Sequence, residues 1–267
     1  MKDELQKLRA SSEFMRLILD IGEEMMLSGG EVSRVEDTMS RILRAYGFSE
    51  INVYSIPAQI QVTAITPSGR TLTQMRRLHS SGGNNLTRVE QLNDLSRRAC
   101  AHPCSLLSIR SQFEQIRAQR PSRAASLFSA YVGTILGAGA FACFFGGTLP
   151  DAGVAAILAC IITFIDRRFQ HRGEGQLLYY FLVSILTGLA ACGINYLGSA
   201  AGLSMNLDKI LIGCVMVTIP GVAITYAVRD MLLGNIITGL LRFANSLLVA
   251  ASIASGYVLA LILTRAL

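Results

Sequence analysis

The sequence predicts an α-helical membrane protein that carries an N-terminal cytoplasmic α+β domain. Hydrophobic residues make up 51% of the chain and the mean hydropathy is +0.45, which is high for a soluble protein. The charges are concentrated at the start, because residues 1–124 hold 17 of the 24 Lys and Arg and 13 of the 18 Asp and Glu. A charged part and an apolar part, each near ordinary domain size, predict a soluble domain at 1–120 and a transmembrane domain at 121–267.

The charge and the cysteines argue against several classes of protein. The net charge of +6 is spread over both halves without a basic stripe, which argues against nucleic-acid binding and favours a membrane surface. Four of the six cysteines lie in apolar runs, and Cys100 and Cys104 flank His102 with too few further ligands for a metal site. The sequence shows neither a phosphate-binding loop nor a hydrolase nucleophile motif. We therefore expect no metal, no cofactor and no enzymatic activity.

Two amphipathic helices are predicted at the start of the soluble domain. Apolar residues recur at helical spacing from Phe14, after a polar lead-in at 1–10, and the pattern ends at Ser28-Gly29-Gly30. Glycine suits a helix C-terminus because positive φ has no Cβ penalty there. The second helix follows at once and is stopped by Gly47.

Three strands and two more helices complete the predicted domain. β-branched stretches and a Pro-Ser-Gly turn predict strands at 51–56, 59–66 and 70–75. The next helix opens with the capping-box spacing Thr87-x-x-Glu90, and the last covers roughly 105–119.

Five apolar runs predict the transmembrane helices. A span needs about 20 residues, so the first four runs fit one helix each, although the second is short. The fifth is too long, because about 33 residues of helix reach about 50 Å against an apolar core of about 30 Å. We therefore expect a break near Gly234 or Gly239, with 231–241 as a short or re-entrant segment before the last span. The runs cover 125–147, 152–166, 176–197, 208–227 and 231–263.

Basic loops predict the topology, and small residues predict one helix contact. Arg167, Arg168 and Arg172 lie between the second and third spans, which places this loop and the 1–120 domain on the cytoplasmic side. The N-terminus carries no signal peptide pattern, so the expected location is the cell inner (plasma) membrane with a cytoplasmic N-terminus. The spacing Gly133-x-x-x-Gly137 suits close packing of the first span.

The most informative stretch of the membrane half carries polar and helix-breaking residues within apolar sequence. Such residues are costly at membrane depth and are tolerated mainly where they line a cavity or a transport path. Proline interrupts a helix and exposes backbone groups, arginine offers a bidentate fork for a carboxylate, and an acid suits proton coupling or an ammonium contact. The predicted transport path therefore consists of Pro220, Gly221, Arg229, Asp230, Asn235, Gly239, Arg242 and Asn245.

Structural explanations compete with this hypothesis at three positions. Pro220 fits a plain proline kink, which is frequent in membrane helices. Arg229 fits an anchor at the cytoplasmic surface at least as well as a substrate contact. Arg242 fits a side chain that reaches toward the surface from a helix end.

Two parts of the sequence carry a family resemblance. The soluble part contains SGGEVSRVEDTMSRILRAYG (28–47) and RRLHSSGGNNLTRVEQLNDL (76–95), and the membrane part contains PGVAITYAVRDMLLGNIITGLLR (220–242). Together they resemble the threonine/serine exporter family of bacterial membrane proteins over nearly the whole chain. In the soluble domain, the resemblance points to a cytoplasmic-domain motif of Gly30, Glu31, Arg34, Glu36, Arg76, His79 and Asn84.

The chain departs from the family pattern in two ways. Members often have Asn at the position of Tyr226 and an acid at that of Asn235, which weakens any role for these two side chains. The fused form of the family joins a soluble domain to two membrane halves of about five spans each, whereas this chain has one half. It therefore resembles the split form, and the implied partner is a small five-span membrane subunit, with self-association as the alternative.

The resemblance implies a subunit of a secondary transporter that exports small carboxylate-bearing metabolites, threonine or serine first, with proton coupling. Split members have also been linked to dicarboxylate export, in particular of succinate. A different class of function is a cytoplasmic sensor or enzyme domain that the spans merely anchor. The polar stretch argues against a mere anchor, since an anchor needs no interrupted helix with two arginines.

Overall fold

The computed structural model describes residues 2–78, 85–119, 123–169 and 175–266. Three strands lie between the second and third helices in chain order, and every later element is a helix. The strands are β1 Ser49–Ile56, β2 Gln59–Ile65 and β3 Thr71–Arg77. The helices are α1 Lys2–Leu27, α2 Val32–Ala45, α3 Leu86–Ala101, α4 Leu106–Ala118, α5 Arg123–Phe144, α6 Leu149–Phe169, α7 Gln176–Ala200, α8 Leu207–Thr218, α9 Gly221–Leu232 and α10 Ile236–Ala266.

The chain divides into two compact units, and the division cuts through two helices. The first unit comprises Met1–Arg120 and Ala227–Leu241, and the second comprises Pro121–Tyr226 and Arg242–Leu267. The segment 227–241, which the sequence suggested as part of the membrane domain, therefore packs with the N-terminal residues. The predicted domain limits at 1–120 and 121–267 stay a prediction.

The first unit is an α+β fold around one apolar core. The three strands form an antiparallel sheet in the order β1-β2-β3, with Val62 of β2 paired to Val53 and Gln74. Alternate residues of β2, namely Ile60, Val62 and Ala64, are fully buried, as the period of two along a half-buried strand requires. They join the buried faces of α1, α2, α3 and α4 in a single cluster.

The helix ends in this unit confirm two of the glycine predictions. Gly29 (φ 85°) and Gly47 (φ 81°) adopt the left-handed conformation just after α1 and α2. In both cases the amide of the glycine and the amide after it donate to carbonyls of the last turn. Examples are Gly30 N to Met25 O at 2.8 Å and Phe48 N to Leu43 O at 3.1 Å. This is the Schellman arrangement, which satisfies carbonyls that the helix leaves open.

Two predictions at helix starts are wrong. Residues 2–10 are the first turns of α1, because the helix begins at Lys2 and so extends through the expected polar lead-in. The capping-box assignment at Thr87 is also wrong: α3 begins earlier, and the Asn85 side chain caps it by accepting from Arg88 N at 3.1 Å. Asparagine is as good a cap as threonine, and the amphipathic pattern alone does not choose between the two positions.

The second half of the chain contains the helices of a multi-pass membrane protein. Among the described residues, α5, α6, α7 and α10 are each long and apolar enough to cross a bilayer, and α8 with α9 forms a pair bent by 52° that brings the number to five if it counts as one span. The helix α6 has 21 residues, so the second span is longer than its apolar run suggested. The predicted class, a helical membrane protein with a small N-terminal sheet, is confirmed at this level.

The predicted short segment at 231–241 does not exist as a separate piece. The chain breaks at Gly234, which has φ 90°, but α10 then runs without interruption from Ile236 to Ala266 and contains Gly239 in its second turn. The bent pair within this region is instead α8 and α9, around Ile219 and Pro220. Any re-entrant feature would therefore precede position 233 rather than follow it.

Small residues bring the helices of the second unit together, at positions other than those predicted. A Cβ on Gly213 would lie 2.6 Å from Ala138 O, one on Gly188 would lie 2.7 Å from the Ala260 side chain, and one on Gly256 would lie 2.5 Å from Phe181 O. Within the part of the chain that the structure describes, a Cβ on Gly133 would meet nothing within 4 Å, and one on Gly137 would make only an ordinary contact with Val217. The prediction from Gly133-x-x-x-Gly137 is thus wrong, because small-residue spacing does not say which face meets a neighbour.

A buried carboxylate joins two loops of the second unit. Asp151, at the start of α6, is fully buried. It accepts from Thr148 N and Oγ1 at 2.7 and 2.8 Å, and from Asn206 N and Nδ2 at 2.8 and 3.0 Å. Asp151 therefore caps its own helix and ties it to the start of α8.

We predict that Asp151→Ala lowers the free energy of unfolding by about 2–4 kcal/mol, because it removes the buried carboxylate that accepts four hydrogen bonds from Thr148 and Asn206. Thermal unfolding of the purified protein in detergent measures the change. The control is Asp208→Ala, because Asp208 is exposed and pairs with the adjacent Lys209 at 2.8 Å. Equal stability of the two variants would contradict a structural role for Asp151.

Candidate functional site

The candidate site begins at an interrupted helix. Ile219 closes α8 in an extended conformation (φ −64°, ψ 137°), and α9 starts at Gly221. Proline cannot donate to the preceding turn, so the α8 ladder ends where the sequence predicted an interruption. Gly221 N donates to Ile219 O at 2.8 Å, and Pro220 O accepts from Ile224 N at 3.1 Å as the first bond of α9. The structure thus places Pro220 and Gly221 at a 52° bend between two apolar helices.

Residues 227–241 form a helical corner, made of the end of α9, a three-residue turn and the first six residues of α10. The turn is a third Schellman arrangement, in which Gly234 N donates to Met231 O at 3.1 Å and Asn235 N donates to Asp230 O at 2.9 Å. Gly239 holds the two arms together, since a Cβ there would lie 2.6 Å from Ala227 O and 2.9 Å from Met231 N. Glycine is required at 239 for this close approach and at 234 for positive φ.

The corner has a buried side and an apolar exposed side. Ala227, Asp230, Thr238 and Gly239 are buried. The opposite side exposes large aliphatic residues, namely Val228, Leu232, Leu233, Ile236, Ile237, Leu240 and Leu241. Two of its polar residues, Asp230 and Thr238, are therefore on the buried side, whereas Arg229 is half-exposed.

An ion pair joins the first arm of the corner to the cytoplasmic-domain motif. Arg229 Nη2 lies 3.0 Å from Glu31 Oε1, with 52% of the arginine side chain and 18% of the glutamate side chain exposed. Glu31 is the N-cap residue of α2, where a negative charge also interacts favourably with the helix dipole. An ion pair this exposed contributes only about 0–1 kcal/mol to stability, so its main effect is to fix a position.

A second contact joins the other arm to the sheet. Glu36 Oε1 accepts from Ser55 N at 2.7 Å and from Ser55 Oγ at 2.9 Å, which fixes the end of β1 against α2. Ser55 O then lies 3.5 Å from the Thr238 hydroxyl, and both residues are buried. Two members of the cytoplasmic-domain motif, Glu31 and Glu36, thus connect to the two arms of the corner, one directly and one through Ser55.

The other members of the motif are placed differently. Gly30 ends the α1 turn, and a Cβ there would lie 2.7 Å from Met25 O. Arg34 is exposed. Arg76 on β3 bonds to Asp20 at 2.6 Å and to Glu23 at 2.7 Å on α1. Burial lowers the pKa of Arg76, but hydrogen bonds and charges from these two carboxylates outweigh it and raise the pKa overall. His79 and Asn84 lie outside the described residues.

Arg242 and Asn245 follow the corner on α10 and belong to the second unit. Arg242 is half-buried and its carbonyl accepts from Ser246 Oγ at 2.9 Å, whereas Asn245 is exposed. The eight residues of the predicted transport path are therefore divided. Arg229, Asp230, Asn235 and Gly239 lie in the first unit, and Pro220, Gly221, Arg242 and Asn245 lie in the second.

A family model covers almost the whole of this structure. The model described as "Putative threonine/serine exporter" matches residues 16–264, which includes the cytoplasmic-domain motif, the interrupted helix and the corner. The chain belongs to the threonine/serine exporter family. It is also 27% identical over 249 residues, 92% of this chain and 93% of the relative, to the Escherichia coli (strain K12) protein named "Probable succinate transporter subunit YjjP". No solved structure matches the chain at a significant level.

Membership of the threonine/serine exporter family identifies the chain as a membrane protein of a transporter family, in agreement with its apolar helices. This confirms the resemblance on which the sequence analysis relied. It does not choose between amino acids and succinate, because the family description and the name of the relative point to different substrates.

Sequence reasoning missed two residues of this chain that the structure brings into the site region, Ser55 and Thr238. Both are small hydroxyl residues within strand or apolar helix patterns, where such residues are common and carry no distinct signal. Glu36 was named only through the family resemblance, and the structure supplies its contact with Ser55.

We predict that Gly239→Ala destabilises the corner, because the added methyl group would overlap backbone atoms of Ala227 and Met231 that cannot rotate away. The expected loss is about 1–3 kcal/mol in the free energy of unfolding, measured by thermal unfolding in detergent. The control is Gly153→Ala, a helical glycine whose Cβ would meet no described residue within 4 Å. A Gly239→Ala variant at least as stable as the Gly153→Ala variant would show that the arms are not in close contact.

Proposed function

We propose that this chain is one subunit of a secondary transporter in the inner (plasma) membrane that exports small carboxylate-bearing metabolites, coupled to the proton gradient. The observation that carries the proposal is the family match over residues 16–264. It extends across both the N-terminal unit and the membrane helices, so it supports an activity of the whole chain rather than of one domain. The bend at Pro220 supports it further, since interrupted helices supply backbone groups for substrate in many transporters.

Threonine and serine are the first proposed substrates, from the family description, and succinate is the second, favoured by the name of the relative. The two classes share a carboxylate. The proposed cationic contact is Arg242, which can bind a carboxylate through two parallel hydrogen bonds. The proposed proton-coupling acid is Asp230, which is buried in the corner.

The proposed partner is a small five-span membrane subunit of the same family, with self-association as the second possibility. Two observations support a partner. The relative covers nearly the same length as this chain and is itself named a subunit. The described residues hold at most five candidate spans, half of what the fused form of the family has. The proposed orientation places the N-terminus in the cytoplasm, on the side of Arg167 and Arg168.

We expect that cells lacking this protein accumulate its substrate and that expression of this chain together with its partner subunit restores export. The measurement is efflux of labelled threonine, serine and succinate from preloaded cells, with each subunit expressed alone as the control. Export of one class and not the other identifies the substrate. Efflux of all three compounds that is the same with and without the complex would contradict the proposal.

We predict that Arg242→Ala abolishes export, because neutral alanine leaves the substrate carboxylate without its cation. Arg242→Lys is expected to retain part of the activity, since lysine keeps the charge and loses the fork. Initial export rates, normalised to the amount of protein in the membrane, measure both. Arg265→Ala, which removes an exposed arginine in the last turn of the same helix, is the matched control. Normal export by Arg242→Ala would remove this residue from the proposed path.

A further inference from the structure

The helical corner at 227–241 lies at an unusual place in the chain. It comes from the apolar half of the sequence, but it forms one compact unit with residues 1–120. Both of its arms continue as unbroken helices into the second unit, back along α9 to Gly221 and forward along α10 to Ala266. The proposed path residues Gly221 and Arg242 are therefore in helical continuity with a segment that packs on the N-terminal residues.

Each arm has its own attachment. Arg229 of the first arm pairs with Glu31 at 3.0 Å, and Thr238 of the second arm lies 3.5 Å from Ser55 O. Ser55 is fixed in turn by Glu36 through its amide and its hydroxyl. The attachments come from two elements, α2 and β1, so any movement of one arm relative to the other would break at least one of them.

The corner itself leaves little freedom between its arms. The contact of Gly239 with Ala227 O and Met231 N allows no side chain, and the Schellman bonds close the turn at Gly234. A displacement of α2 against the rest of the chain is therefore passed to both arms together. Arg242 is the next residue of α10 after the corner, and Gly221 lies about two turns of α9 before it, so the displacement would be passed to both residues along the helices.

From these contacts we infer that Glu31, with Glu36 acting through Ser55, is a positioning residue for transport: the N-terminal unit sets the orientation of the two path helices through the 227–241 corner. This inference rests on the proposed transport function. It gives the soluble domain a role in transport itself, and it makes Arg229 the receiver of this contact instead of a substrate ligand. Neither glutamate touches the substrate.

The test exchanges the charges of the ion pair in the full chain, expressed with its partner subunit. Glu31→Arg and Arg229→Glu each place like charges together, so each is expected to lower the initial export rate about tenfold, within the range that altered coupling produces. Each is also expected to speed amide hydrogen exchange across 227–241 in the purified complex. The double variant Glu31→Arg with Arg229→Glu restores an opposite-charge pair and is expected to recover both readouts.

Two further variants guard against simple misfolding. Glu31→Gln keeps the shape of the side chain and is expected to reduce export less than Glu31→Arg does. Asp37→Arg reverses a charge on the same helix, in an exposed pair with Arg41 at 2.8 Å, and is expected to leave both readouts unchanged.

The outcomes separate the inference from the proposed function. Single reversals that leave amide exchange in 227–241 unchanged would show that the ion pair does not hold the corner. Faster exchange with normal export would show that the contact does not position the path, and lost export that the double variant does not restore would return Arg229 to the substrate path. A wild-type complex that exports neither amino acid nor succinate would contradict the proposed function, and the role of Glu31 in transport with it.

Discussion

The attachment of the 227–241 corner to α2 and β1 is the constraint on which the rest of the architecture depends. It explains why a helix as long as α10 exists. Its 31 residues extend about 46 Å, whereas an apolar core of about 30 Å needs about 20. Six of the additional residues, Ile236–Leu241, pack with the N-terminal unit. The excess length therefore belongs to a structural joint, and it does not require the helix to be divided.

The second unit is held together by contacts of a different kind. In a bilayer, lipid tails solvate aliphatic side chains as well as a neighbouring helix does, so close backbone approach and buried hydrogen bonds must supply the attraction. Gly213, Gly188 and Gly256 provide the close approach, each at a position where a methyl group would overlap a neighbour. Asp151 provides the hydrogen bonds, with four donors converging on one carboxylate. These contacts hold neighbouring helices together, whereas the bend at Pro220 interrupts the backbone hydrogen bonds within one apolar segment.

Sequence reasoning predicted the elements well where the signal is local and periodic. The ends of α1 and α2 followed from glycine, and the strands followed from β-branched runs, because both effects act within a few residues.

Sequence reasoning failed where two positions carry the same local signal. Gly234 and Gly239 lie in one apolar run, and only the structure shows that the first has positive φ and the second permits a helix contact. In the same way, Gly133 and Gly213 are both small residues in apolar helices, but of these two only Gly213 lies against another helix among the described residues. For the site, the polar residues of 219–245 were evident from their cost in a membrane, whereas Ser55 and Thr238 gave no sign because their contact joins positions 183 residues apart.

The position of Arg229 shows how far composition alone can mislead about a charged residue near a membrane. The sequence left two interpretations open, a surface anchor and a substrate contact, and both treat the arginine as acting on something outside the protein. The structure instead provides a carboxylate, Glu31, whose side chain is mostly buried. A carboxylate at a helix start also interacts favourably with the helix dipole, and Glu31 is the N-cap residue of α2. The half-exposed arginine, on an otherwise apolar surface, gains a defined position from this acid. The pair is therefore better understood as a locating contact for the corner than as a source of stability, and it is weak enough to be broken and reformed without unfolding either element.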